Sequence, residues 1–290
     1  MAETQTSELL KKVRKIEIKT RGLTRQIFAG EYHSAFKGRG VTFSEVREYQ
    51  YGDDTRDIDW NVTARFNTPY IKTYEEEREL TVMLLIDVSG SRNFGSFAAL
   101  KKNIITEVAA VLSFSAIFNN DKIGVMFFSD RVEKYIPPKK GRKHILHIIR
   151  ELIEFKPESP RTDLNEPLKY LTNIIKKKCT AFMISDFICP DFESSLRVAA
   201  RKHDLVALKV FDERERELTD IGLARFRDPE TGEALWVDTG MARVRREYTK
   251  AWEDREQEIK NLFSRYSIDF TRLNTAEDYV KPLILLFKKR

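Results

Sequence analysis

Five large apolar residues in succession, Val82-Met83-Leu84-Leu85-Ile86, run straight into Asp87-Val88-Ser89-Gly90-Ser91. An apolar run without alternation predicts a strand covered on both faces, as inside a parallel sheet flanked by helices. Two later segments repeat the arrangement: Ala181 to Ser185 leads to Asp186, and Leu205 to Phe211 leads to Asp212. Ligands of open α/β sheets bind beyond the carboxyl ends of the strands. Asp87, Ser89 and Ser91 therefore arrive where a site is expected, and as hard oxygen donors they suit magnesium or manganese better than zinc or copper.

The rest of the chain supplies the helices. Phe97, Leu100, Ile104, Val108, Leu112, Ser115 and Phe118 recur at helical spacing, so a long buried helix should follow the Asp-Ser-Ser segment. Ile123 to Phe128 is the next strand, and Val132 to Ile136 an edge partner ahead of Pro137-Pro138. Helices are expected over 143–155, over 164–176 with Thr162 or Asp163 as N-cap, and over 192–201. Asp228-Pro229-Glu230-Thr231-Gly232 reads as a turn into a short strand through Leu235, Trp236 and Val237. Val244, Tyr248, Trp252, Ile259, Leu262, Phe263 and Tyr266 then mark a long final helix. Alternating strands and helices predict an α/β fold, a mostly parallel open sheet flanked by helices. A boundary is expected near residue 75, with an irregular or β appendage before it and the α/β domain over 76–290. Ahead of that boundary, residues 7–29 read as basic and amphipathic, and the stretch from Gly38 to Arg65 shows no sustained period.

Composition excludes several classes. The net charge of +6 comes from 51 basic and 45 acidic residues that are intermixed, which is weak support for nucleic-acid binding. Lys11-Lys12-Val13-Arg14-Lys15, Lys176-Lys177-Lys178 and Lys288-Lys289-Arg290 read as solvated helix ends. No apolar stretch reaches the roughly 18 residues of a membrane span and no signal-peptide core opens the chain, so a cytoplasmic protein is expected. Cys179 and Cys189 lack metal-type spacing and read as buried reduced thiols. No GxxxxGK[ST] phosphate loop is present, and Ser89 lacks the flanking glycines of a hydrolase elbow.

Asp87, Ser89 and Ser91, a threonine in a later loop at Thr162 and a strand-end aspartate at Asp186 resemble the metal-ion-dependent adhesion site of von Willebrand factor A domains, in that family's order of elements. The resemblance implies a Rossmann-type fold in which these five residues hold Mg2+ or Mn2+ and leave one coordination position for a partner's carboxylate. Upstream, Gly38-x-Gly40-x-x-Phe43, Arg47-x-Tyr49, Gly52-Asp53-Asp54-x-Arg56-x-Ile58-Asp59-Trp60 and Ala64-Arg65 resemble the signature of the bacterial domain-of-unknown-function 58 family. Members join this block to a von Willebrand factor A domain and are commonly encoded with MoxR-type AAA+ ATPases. The resemblance implies a non-enzymatic, metal-dependent protein-binding adaptor whose partner is such an ATPase or its client.

Read without the family, Arg47, Arg56 and Arg65 among Asp53, Asp54, Asp57 and Asp59 predict an ionic network anchored by Tyr49 and Trp60. Asp57-x-Asp59-x-Asn61 starts like a calcium loop, but Val62 replaces the required glycine and Thr68 the closing glutamate. The alternative for the site is a phosphoryl-transfer enzyme with Asp87 as nucleophile; Ser89 then stands where a second acid is needed. The plainest alternative is that Ser89 and Ser91 only cap a helix starting near Phe94 to Phe97.

Overall fold

The computed structural model describes residues 42–75, 80–93, 95–96 and 99–290. The basic segment 7–29, Gly38 and Gly40 lie outside these. The chain divides between Leu80 and Thr81 into two compact units.

In the first unit, β1 (Thr42–Glu48) pairs antiparallel with β2 (Tyr70–Glu75), with a bulge between Phe43 and Glu45. A 3-10 turn (Thr55–Asp57) and α1 (Trp60–Phe66) fill the connection. Helix α1 starts because Asp59 Oδ1 accepts the backbone N–H of Asn61 and Val62 (2.9 and 3.2 Å), and ends at Asn67 in the left-handed region (φ 59°). The expected ionic network is only partly realised. Arg47 grips Asp53 bidentately (2.8 and 2.9 Å), but Asp54 caps backbone, and Asp59 caps α1 while pairing with Lys72 (3.4 Å) and not with an arginine. Regular structure also replaces the aperiodic stretch read from the sequence, because caps rather than apolar spacing build it.

The second unit is a three-layer α/β domain. In chain order it contains β3 (Thr81–Asp87), α2 (Lys101–Phe118), β4 (Lys122–Phe128), β5 (Val132–Lys139), α3 (Arg142–Glu154), α4 (Asn165–Ile174), β6 (Thr180–Ser185), α5 (Glu193–Lys202) and β7 (Asp204–Phe211). The hairpin β8 (Leu223–Arg227) and β9 (Ala234–Asp238) follows, then α6 (Ala242–Arg265), β10 (Asp269–Asn274) and α7 (Val280–Lys289). The long helix α6 is thus not the last element. Beyond it, β10 adds to the sheet with only Leu273 fully buried, so no apolar run announces it.

The sheet order is β10-β7-β6-β3-β4-β5, parallel throughout except for β5. This is the doubly wound order, with its switch point between β3 and β6. One face packs Met83, Leu85, Met126, Phe128 and Met183 against Leu168 of α4, Leu196 of α5 and Phe263 of α6. On the other, Phe127 meets Phe155 after α3 (4.9 Å between ring centres) and Phe182 meets Phe287 of α7 (6.2 Å). Both faces of β3 are therefore buried, which is why its sequence does not alternate. Strand β5 closes one edge and runs through Pro137-Pro138. Cys179 is buried and Cys189 half-buried; both are free, and burial pushes each thiol up to about 12. No helix among the described residues is long and apolar enough to cross a membrane.

Candidate metal centre

Strands β3 and β6 are hydrogen-bonded neighbours that begin crossovers in opposite directions, so their carboxyl ends open a crevice. Asp87 is the last residue of β3 and Asp186 follows the last residue of β6. Both are buried, at 3% and 4% exposure. Asp87 Oδ1 accepts the Ser89 N–H (2.9 Å), which bends the chain into the loop, and Oδ2 accepts the Ser185 hydroxyl (2.6 Å). Burial first, then the neighbouring Asp186, pushes the Asp87 carboxyl up to about 6 against those hydrogen bonds.

The remaining residues read from the sequence come from the loop after β3, the loop before α4 and the end of β6. The Ser89 and Ser91 hydroxyls lie 3.1 Å apart across a 3-10 turn, Gly90–Asn93. Helix α2 begins only at Lys101 and carries no side-chain cap, so these serines do not cap it. The loop is tied down by Val88 N–H to the Phe128 carbonyl (2.8 Å) and by Gly90 N–H to the Pro160 carbonyl (2.9 Å). That second bond draws in the loop carrying Thr162, which is buried at 4% exposure. Neither Thr162 nor Asp163 is the N-cap of α4; Leu164 holds that position, while Asp163 Oδ1 accepts the Asn165 N–H. Asp186 Oδ1 accepts the Ile188 N–H (3.1 Å), and Phe187 turns the chain in the left-handed region (φ 57°). That conformation costs of order 1 kcal/mol for a non-glycine residue, and the Phe187 ring is held edge-on to Phe263 at 5.1 Å.

Four groups at the site were not picked out from the sequence. Ser185 holds Asp87 as described. Lys101, whose side chain is 2% exposed, donates to Asp186 Oδ2 (3.1 Å) and Glu215 Oε1 (2.5 Å). Burial pulls its ammonium down, but the two carboxylates outweigh this and raise it. A cation in the first turn of a helix opposes the helix dipole, but the sequence period runs back to Phe97 and puts Lys101 inside the helix, so neither Lys101 nor Glu215 is marked by the sequence. The fourth group, Glu230, comes from the tip of the β8–β9 hairpin: Thr162 donates its hydroxyl to Oε1 (2.7 Å) and its N–H to Oε2 (3.2 Å). Burial, then Asp186 and Asp87, raise the Glu230 carboxyl above its ordinary range. Its sequence context announces only a turn.

The donor set suits a hard divalent ion on two counts. Adjacent corners of an octahedron with metal–oxygen bonds of roughly 2.1 Å lie about 3.0 Å apart. The Ser89–Ser91 and Thr162–Glu230 oxygen separations, 3.1 and 2.7 Å, bracket that edge. Second, Asp87, Asp186, Glu215 and Glu230 crowd one rim, and Lys101 is ion-paired to only two of them. No group of three or more His, Cys, Asp or Glu side chains is arranged to hold a metal among the described residues. The set here rests instead on three hydroxyls and two carboxylates. As for the helix α3 histidines, His144 Nε2 donates to the Ile123 carbonyl (2.8 Å) and His147 lies beside Glu151.

A family described as a protein of unknown function, DUF58, matches residues 45–258. The chain belongs to the DUF58 family. It is 26% identical over 282 residues to the uncharacterised protein Rv1480 of Mycobacterium tuberculosis, covering 96% of this chain and 88% of that protein. It is also 27% identical over 161 residues to the uncharacterised protein MAV169 of Mycobacterium avium, covering 53% of this chain and 93% of the relative. Among solved structures, it is similar to BatB, a conserved hypothetical protein of Bacteroides thetaiotaomicron, with a TM-score of 0.48 and 13% identity over 72% of this chain and 98% of that one. An aerotolerance-related membrane protein of Bacteroides fragilis gives 0.49 and 13% over 73% and 100%. The VWA domain of SpRpn10 gives 0.40 and 11% over 73% and 95%. The DUF58 chain's fold class stands on its own strand order and buried sheet.

Proposed function

We propose that this DUF58 chain is a non-enzymatic protein-binding module in which Asp87, Ser89, Ser91, Thr162 and Asp186 hold Mg2+ or Mn2+. A carboxylate from another molecule would then bind at the ion. The observation that carries this reading is the pair of buried carboxylates, Asp87 and Asp186, at the switch point of the sheet, where burial first and then their mutual repulsion raise the Asp87 carboxyl. A divalent cation relieves that repulsion, and neutral hydroxyl ligands leave the ion able to attract a further acid. The family resemblance directs the search for that acid to a MoxR-type AAA+ ATPase or its client. The phosphoryl-transfer alternative has less support. Position 89 holds a serine where that chemistry needs a second acid.

Manganese titration followed by electron paramagnetic resonance tests the site, comparing wild type with Asp87→Ala and with the milder Ser91→Ala. Each variant should lose about tenfold or more in affinity. Equal, negligible binding in all three proteins would end the proposal. The partner is sought by pull-down from extract with and without EDTA, with Ser89→Ala as control; recovery of the same proteins in every condition would remove the cation from the interaction.

A further inference from the structure

We propose that Glu230 is an internal ligand of the cation, which latches the β8–β9 hairpin over the site until an external carboxylate displaces it. The inference rests on the metal reading above and adds a residue and a moving part to it. The Glu230 carboxylate lies 2.7 Å from Thr162 Oγ1, close to the separation of neighbouring ligands around an octahedral ion. It is brought toward Asp87 and Asp186, which repel it, so a bound cation would turn an unfavourable approach into a favourable one.

The hairpin tip is shaped for this contact. Asp228 Oδ1 accepts the N–H of Glu230 (2.7 Å) and of Thr231 (3.3 Å), and Gly232 takes a φ of +74°. The Pro229 carbonyl sits directly on the Ser89–Ser91 loop, where a Cβ added at Gly90 would lie 2.6 Å from its oxygen. The hairpin stem, by contrast, is poorly covered. Leu223, Leu235 and Trp236 are 63–69% exposed, and a two-stranded ribbon is marginal by itself in water. Its foot is held to α6 by Arg245, which reaches Asp220 and the Thr239 and Gly240 carbonyls, so the tip contact sets how the ribbon lies over the site, and a competing carboxylate would free an arm that carries exposed apolar side chains.

The test uses the full chain, with manganese as the probe, in wild type, Glu230→Ala and Gly90→Ala. Gly90→Ala keeps every ligand side chain but crowds the tip. Affinity is read by paramagnetic resonance, and the state of residues 223–238 by amide hydrogen exchange. Manganese should slow exchange across the hairpin about tenfold in wild type and leave it unchanged in both variants, and Glu230→Ala should bind the ion about tenfold more weakly. Equal manganese affinity in wild type and Glu230→Ala, with hairpin exchange unmoved, would overturn the latch while leaving the metal site standing. Faster hairpin exchange on adding manganese would also overturn it, because the ion would then expel Glu230. Failure of wild type to bind manganese would remove both proposals together.

Discussion

His203 is 2% exposed at the end of α5, where its Nδ1 lies 3.4 Å from the Cys179 amide nitrogen and 3.3 Å from the Cys179 sulfur. Burial, reinforced by the adjacent Lys202, lowers the imidazole to about 4. Between about pH 4 and its ordinary value of about 6.5, the unfolded chain binds a proton there that the folded chain refuses. His203 therefore leaves stability intact above about pH 6.5 and reduces it as the pH falls toward 4, by no more than about 3.4 kcal/mol. Urea unfolding across that window should show a shallower pH slope in His203→Gln than in wild type. Equal slopes would show that the folded chain protonates His203 normally. At the scale of single residues, the sequence disclosed the site unevenly. Asp87, Ser89 and Ser91 share one short motif, and Asp186 ends a recognisable strand. Glu230 meets Thr162 only through folding, across 68 positions, and its own neighbours spell nothing but a turn.

Among the elements, β4 and β5 show how one backbone position limits a strand pair. The ladder is irregular between Ile123 and Val125, opposite Pro137-Pro138. A Cβ on Gly124 would lie 2.8 Å from Met83 Sδ, 2.9 Å from the Ile136 carbonyl oxygen and 2.9 Å from the Pro138 nitrogen. Two of those atoms are backbone and cannot swing away, so Gly124→Ala should cost about 1–3 kcal/mol. The measurement is the urea midpoint in the presence of EDTA; an unchanged midpoint would show that the ladder yields without strain. Strands with buried, largely apolar runs, namely β3, β4, β6 and β7, could be read in advance, as could the edge strand β5. Strand β10 could not, because Asp269, Thr271 and Arg272 give it the look of a loop, and α1 could not, because a single carboxylate cap rather than an apolar stripe starts it.

At the scale of the whole molecule, a buried ion pair ties the sheet to its longest helix. Lys209 of β7 donates to Glu256 of α6 at 2.6 Å, with side chains 3% and 5% exposed, and Arg272 of β10 approaches the other Glu256 oxygen at 3.3 Å. Trp252 lies beneath both cations, 5.1 Å from Lys209 and 5.7 Å from Arg272. Glu256→Ala strands a buried ammonium and should cost about 3–5 kcal/mol, whereas the double change Lys209→Met, Glu256→Leu should recover most of that loss. Calorimetric melting of the three proteins checks this; a double variant no better than the single one would assign the loss to packing instead of charge. Most strands and helices of the α/β domain were foreseeable because they are locally patterned. The ion pair was not, since Lys209 interrupts an apolar run but nothing distinguishes Glu256 among the many charges of α6.

Pro137 and Pro138 on the outermost strand offer no N–H to a newcomer. That stretch of the flank is therefore a poor template for another strand, which disfavours stacking of copies of this chain sheet to sheet through the proline end of β5.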